Sequence, residues 1–110
     1  MSTDSPGNTN ICIIQVGKDF TVRNLAKIQA LAQRAIDAQA PAIVFDMSEC
    51  AHIDSSAISL LTMLHGKCAH FGGKIGFLNP TGAAEDLIYI TNVESFFHIY
   101  HSEEEIRADL

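Results

Sequence analysis

Four short apolar runs rich in β-branched residues punctuate the chain: Ile11 to Val16, Ala42 to Met47, Lys74 to Leu78, and Phe96 to Tyr100. Runs of this length bounded by turn residues read as strands. Between the first two, Leu25, Ile28, Ala32, Ala35 and Ile36 recur at helical spacing within Val22 to Gln39, and Pro41 follows as a stop. That pattern predicts an amphipathic helix. Between the second and third runs, Ile58, Leu61, Leu64, His65 and Cys68 line one helical face, and Phe71-Gly72-Gly73 supplies a left-handed C-terminal cap. Asn79-Pro80-Thr81-Gly82 then breaks the chain before a short third helix over Ala83 to Thr91. Its Glu85 and Asp86 fall early, where the helix dipole favours negative charge. Ser102-Glu103-Glu104-Glu105 is a capping box that opens a terminal helix carrying Ile106 and Leu110. Residues 1–10 have almost nothing apolar to offset their ordering entropy and read as a flexible tail.

Strands alternating with helices imply parallel neighbours joined by right-handed crossovers. The expected fold class is therefore α/β: one domain over 11–110, with about four mostly parallel strands covered by four or so helices. A chain of 110 residues matches the size of a single domain. In such sheets the working surface lies at the carboxyl ends of the strands, and the longest loop there runs from Ser48 to Ser56.

Charge narrows the range of partners. With 13 acidic and 7 basic residues the chain carries a formal charge of −6, which repels a nucleic-acid backbone. No apolar run is long enough to span a membrane, and the opening MSTDSPGNTN lacks the basic and apolar regions of a secretory signal, so a soluble cytoplasmic protein is expected. Three cysteines at unrelated spacings fit reduced thiols. Charged residues make up 18%, against about 25% in typical globular domains. The shortfall points to apolar surface reserved for a protein partner.

Candidate chemistry is sparse. The chain has no Gly-x-Gly-x-x-Gly, no Gly-Lys-Ser/Thr phosphate loop and no Gly-x-Ser-x-Gly elbow. His65, Cys68 and His70 fall short of a closed tetrahedral metal set, so neither metal nor cofactor is expected, and His65 reads as a packing residue. His98 and His101 read as polar edge positions. Cys50 lacks both a Cys-x-x-Cys partner and an adjacent cation, and reads as an apolar loop anchor. The remaining constellation runs from Asp46 to Ala57, off a strand and into a helix. Either Asp54 or Ser55 can cap that helix, and in either register Ser55 serves the helix while the Ser56 hydroxyl stays freer. A serine beside Asp54 and His52 forms no oriented nucleophile–base relay, so no enzymatic activity is expected.

An Ile-Val-Phe-Asp-Met-Ser strand, a short loop, then Ile53-Asp54-Ser55-Ser56-Ala57 and a helix ending near Gly72-Gly73 resemble the STAS domain. This module is shared by anti-sigma factor antagonists and sulfate transporters. The similarity runs from about Ile11 to the C-terminus and includes Asp46, the strand before Asn79-Pro80, the helix through Leu87, and Phe97-His98-Ile99-Tyr100 before a Ser-capped acidic helix. In the antagonists the second serine of the Asp-Ser-Ser-Gly motif is phosphorylated by the anti-sigma factor, itself a kinase. The resemblance therefore implies a phosphosite at Ser56 and release of the kinase on phosphorylation. With the helix start and the preceding loop as the working surface, the partner footprint is expected at His52, Asp54, Ser55, Ser56 and Ser59, the last on the same helical side as Ser56. The resemblance also implies a phosphoserine phosphatase as a second partner, and leaves the oligomeric state open, a weak homodimer included. Three positions depart from the family pattern: Ala57 stands where Gly is usual, a polar tail stands where an additional first strand is common, and Asn92-Val93 replaces Gly-Leu. Two rival readings are a STAS subunit of a lipid-transporting ABC system that docks on its ATPase without phosphorylation, and a small enzyme or redox protein using Cys50 or His52.

Overall fold

In the computed structural model, residues 11–82, 85, 86, 88 and 97–109 are described. The β-branched runs become strands β1 (Cys12–Gln15), β3 (Ala42–Asp46), β5 (Lys74–Leu78) and β6 (His98–Tyr100), which pair in that spatial order as a four-stranded sheet, all neighbours parallel. One row of the register runs Ile13, Val44, Gly76, His98 across the sheet. Helices α1 (Leu25–Asp37) and α2 (Ser55–Ala69) make the crossovers between β1 and β3 and between β3 and β5.

Period-two alternation along each strand divides the core. Ile43, Phe45, Ile75 and Phe77 pack with Ile28, Ala32, Leu61 and Leu64 of the two long helices. Ala42, Val44, Leu78 and Tyr100 form a second cluster with Ile106 of the terminal helix α3 (Glu103–Ala108). Because both faces are covered, β3 is apolar at four consecutive positions, Ala42 to Phe45, all buried. Each fully buried large side chain such as Phe45 or Phe77 contributes about 1.5–3 kcal/mol relative to exposure.

Both long helices end in the same device. At α2, Gly72 takes a left-handed φ of 76°, and the N–H groups of Gly72 and Gly73 donate to Ala69 O and Cys68 O at 3.4 and 3.0 Å, as the glycine pair predicts. At α1, Gln39 takes φ 54° without glycine's freedom, with Gln39 and Ala40 donating to Ile36 O and Ala35 O. The helix α3 is capped by Ser102, whose Oγ accepts the Glu105 N–H at 3.2 Å.

Several expectations are corrected. The first helix starts at Leu25 rather than Val22, because Asn24 ties the preceding turn: its Oδ1 accepts the Thr21 N–H and its Nδ2 donates to the carbonyls of Val16 and Asp19. The loop from Ser48 to Ser56 is not wholly loop. It contains β4 (His52–Ile53), which pairs in parallel with an unforeseen β2 (Asp19–Phe20) as a separate two-stranded sheet. Beyond α1, α2 and α3, of the expected helix over 83–91 Glu85, Asp86 and Ile88 are helical and the rest lies outside the described residues. The tail at 1–10, Phe96 and Asn92-Val93 also lie outside them. Among the described residues no helix is long and apolar enough to cross a membrane.

Candidate functional site

The segment from Cys50 to Ala57 leaves the carboxyl end of β3 and is held from one side by residues 18–22. Phe20 is fully buried and stacks at 5.5 Å, tilted, on Phe45 of β3, so β2 is anchored in the core. From there Lys18 O accepts the N–H groups of Ala51 and His52 at 2.8 and 3.1 Å, and Phe20 O accepts the Asp54 N–H at 3.3 Å. Pairing of Asp19 with His52 and of Phe20 with Ile53 completes the contact.

Asp54 closes it. Its backbone is extended (φ −126°, ψ 179°), and its Oδ1 accepts the Ala57 N–H at 3.2 Å as the N-cap of α2. Its Oδ2 accepts the Val22 N–H at 3.1 Å. One carboxylate thus satisfies a free amide of the helix and an amide of the loop before α1. Ala57, where the family usually has Gly, is helical and fully buried with no left-handed backbone, so its methyl group is core filling and the departure carries no strain.

With Asp54 as the cap, Ser55 and Ser56 are the first two helical residues. Ser55 and Ser59 are exposed and Ser56 is half-buried. None of the three hydroxyls hydrogen-bonds to a described residue, and the N–H groups of Ser55 and Ser56 likewise have no partner among the described residues. The expectation that Ser55 serves the helix is therefore corrected: Asp54 does so, and both hydroxyls are uncommitted. Upstream, Asp46 Oδ1 accepts both the N–H and the hydroxyl of Ser48, at 3.0 and 2.7 Å, and so shapes the exit from β3.

His52 is exposed and lines an open cleft of about 420 Å³ with Asp19, Thr21, Val22, Arg23 and Asp54. Val22 is 68% exposed, the largest value among the exposed large hydrophobic residues described. His52, Asp54 and the serines are legible in sequence as one segment, whereas Val22 and Arg23 are not: they line the cleft from a separate loop, where the Val22 N–H reaches Asp54 across 32 residues.

The remaining candidates fall into packing or exposed edge positions. Cys50 is buried, its thiol donates to His52 O at 3.4 Å, and burial pushes its pKa up. A neutral, buried thiol is a poor nucleophile. His65 meets Phe97 edge-on at 5.5 Å, as a packing histidine would. His98 stacks on Tyr100, and His101 Nδ1 lies 3.4 Å from Glu105. Among the described residues no three His, Cys, Asp or Glu side chains converge as a metal-binding set.

The family model for the STAS domain matches residues 2–106. A comparison with curated proteins finds no match. Among solved structures, a Thermotoga maritima protein described as a candidate anti-sigma factor antagonist superposes with a TM-score of 0.80 at 17% identity, covering 90% of this chain and 86% of that one. An anti-sigma factor antagonist from Mycobacterium paratuberculosis gives 0.75 at 18% identity, covering 94% and 85%. The Bacillus cell fate determinant SpoIIAA in its phosphorylated form gives 0.71 at 17% identity, covering 96% of each. At these identities the structures establish a shared fold.

Proposed function

The chain belongs to the STAS domain family, and on that premise we propose that it is an anti-sigma factor antagonist: a module that binds an anti-sigma factor serine kinase and lets it go when Ser56 is phosphorylated. It is a substrate of the kinase and performs no chemistry of its own. Ser56 is the second serine of the Asp54-Ser55-Ser56 motif, the position phosphorylated in the antagonists it resembles. One solved relative of the same fold is named in its phosphorylated form.

The observation that carries the reading is the start of α2. Two serines with uncommitted hydroxyls sit on unpaired first-turn amides, at a helix end whose position is fixed by Asp54. A phosphate there adds about −1.5 to −2 charges, which free amides and the positive end of the helix dipole accommodate. The domain itself is little disturbed. The partner is not so placed: the new charge lies in the footprint of His52, Asp54, Ser55, Ser56 and Ser59, beside a carboxylate. Desolvating it unpaired costs several kcal/mol, and each ~1.4 kcal/mol is tenfold in affinity.

Affinity for the kinase, measured by titration calorimetry for three forms, tests this. Ser56→Ala is expected to bind as the unmodified protein does, and Ser56→Asp about tenfold or more weakly, though less weakly than true phosphorylation because a carboxylate carries about half the charge. Capture of a transporter ATPase instead of a kinase, with Ser56→Asp binding unchanged, would contradict the proposal.

A further inference from the structure

In the turn between β2 and α1, every backbone amide from Thr21 to Asn24 has an acceptor. The Thr21 N–H donates to Asn24 Oδ1, the Val22 N–H to Asp54 Oδ2, the Arg23 N–H to Thr21 Oγ1 and the Asn24 N–H to Thr21 O, at 3.1 to 3.3 Å. The Asn24 side chain also donates to the carbonyls of Val16 and Asp19, and buried Phe20 anchors the start of the turn in the core. A turn tied at four successive amides has little backbone freedom left to lose.

The two side chains at its tip take no part in this. Val22 is the most exposed of the large hydrophobic residues described, in a turn, where small and polar residues are usual. Arg23 is exposed and has no ion-pair partner among the described residues. Any residue but proline would supply the same two amides, so the fold alone does not call for valine and arginine here. Both line the open cleft of about 420 Å³ that His52 and Asp54 also line, and Arg23 is the only lysine or arginine among its lining residues.

Resting on the reading that the segment 52–59 binds an anti-sigma factor kinase, we propose that Val22 and Arg23 determine which kinase is held. Val22 enters an apolar recess of the kinase, and Arg23 pairs with a carboxylate at the edge of that recess. A β-branched side chain on a fixed backbone gives up little entropy when it docks, and arginine is among the residues enriched where interfaces concentrate their binding energy. The contact is made by a different loop from the one that carries the phosphosite. Ser56 sets when the kinase is released; Val22 and Arg23 set its identity.

Surface plasmon resonance of the full chain against the kinase, with Ser56→Asp run alongside, tests this. Val22→Ser is expected to bind about tenfold more weakly, and Val22→Ile as the unmodified protein does. Arg23→Glu is expected to slow association about threefold or more and to flatten its dependence on salt. These variants keep the amides of the turn, so their urea midpoints are expected to be unchanged; midpoints that fall with the affinities would make the two side chains structural and overturn the proposal. Unchanged binding by Val22→Ser and Arg23→Glu, with Ser56→Asp still weakened, would overturn this assignment alone. Failure of the unmodified protein to bind the kinase would overturn it together with the reading on which it rests. Dimerisation of the chain that Val22→Ser abolishes would assign the turn to a second copy and overturn it as well.

Discussion

The Asp54 carboxylate accepts the backbone N–H of Val22 at 3.1 Å across 32 residues of sequence, while its other oxygen caps α2 through Ala57. The loop before α1 and the helix that carries the serines are thereby one mechanical unit. His52 and Asp54 accordingly line one open cleft with Val22 and Arg23.

Removing that side chain separates its two tasks. Asp54→Ala is expected to lose the cap and the loop clamp together, about 2 kcal/mol in all. Asp54→Asn keeps one acceptor oxygen for Ala57 and is expected to lose about half as much. Urea unfolding of both variants measures this; equal losses would mean that only one of the two hydrogen bonds contributes.

Two backbone positions predict opposite signs. Gln39 holds a left-handed conformation that costs an L-residue roughly 1–2 kcal/mol, so Gln39→Gly is expected to stabilise, by somewhat less than that once glycine's unfolded-state entropy is counted. Gly76, central in β5, would place a Cβ 2.6 Å from the Tyr100 ring and 2.9 Å from His98 O. The ring is buried and the carbonyl belongs to the neighbouring strand, so Gly76→Ala is expected to destabilise by about 1–3 kcal/mol. Thermal unfolding of the pair checks both signs.

What the sequence made legible follows from physical scale. The strands β3 and β5 were readable because burial on both faces demands unbroken apolar runs, and α2 because a glycine pair marks its end. The two-residue strands β2 and β4 were not, since Phe20 and Ile53 are isolated apolar residues and a strand that short has no period to detect. The end of α1 hides its left-handed residue behind a glutamine. Both Asp54 and Ser55 are good capping residues, so sequence leaves the cap open; in the structure the Ala57 N–H bonds to Asp54, whose second oxygen takes the Val22 N–H, and no local pattern encodes that contact over 32 residues.

Tyr100 and Asp109 predict a pH dependence. The Tyr100 hydroxyl donates to Asp109 Oδ2 at 2.6 Å, and Lys74 Nζ lies 3.2 Å from the same oxygen. Hydrogen bonding from Tyr100, then from Lys74, holds the Asp109 carboxyl below its ordinary value, while burial and then the Asp109 bond push Tyr100 up. The lowered carboxyl contributes stability above its unfolded pKa of about 4, and that contribution is lost as pH falls through the folded value. The raised phenol contributes below its unfolded pKa of about 10, and that contribution is lost as pH rises through the folded value. Tyr100→Phe is expected to be less stable by about 1 kcal/mol at neutral pH, with both the acid and the alkaline losses reduced. Urea midpoints followed from acid to alkaline pH check it; parallel profiles for the two proteins would refute the coupling.

The central claim is that Ser56 carries the switch, and phosphosite mapping after incubation with the anti-sigma factor kinase and ATP tests it most directly. The account predicts one added phosphate per chain, fragmented by mass spectrometry to Ser56 and absent in Ser56→Ala, with Ser55→Ala still modified. Phosphate on Ser55, whose hydroxyl is equally uncommitted and more exposed, or no phosphate at all, would contradict it.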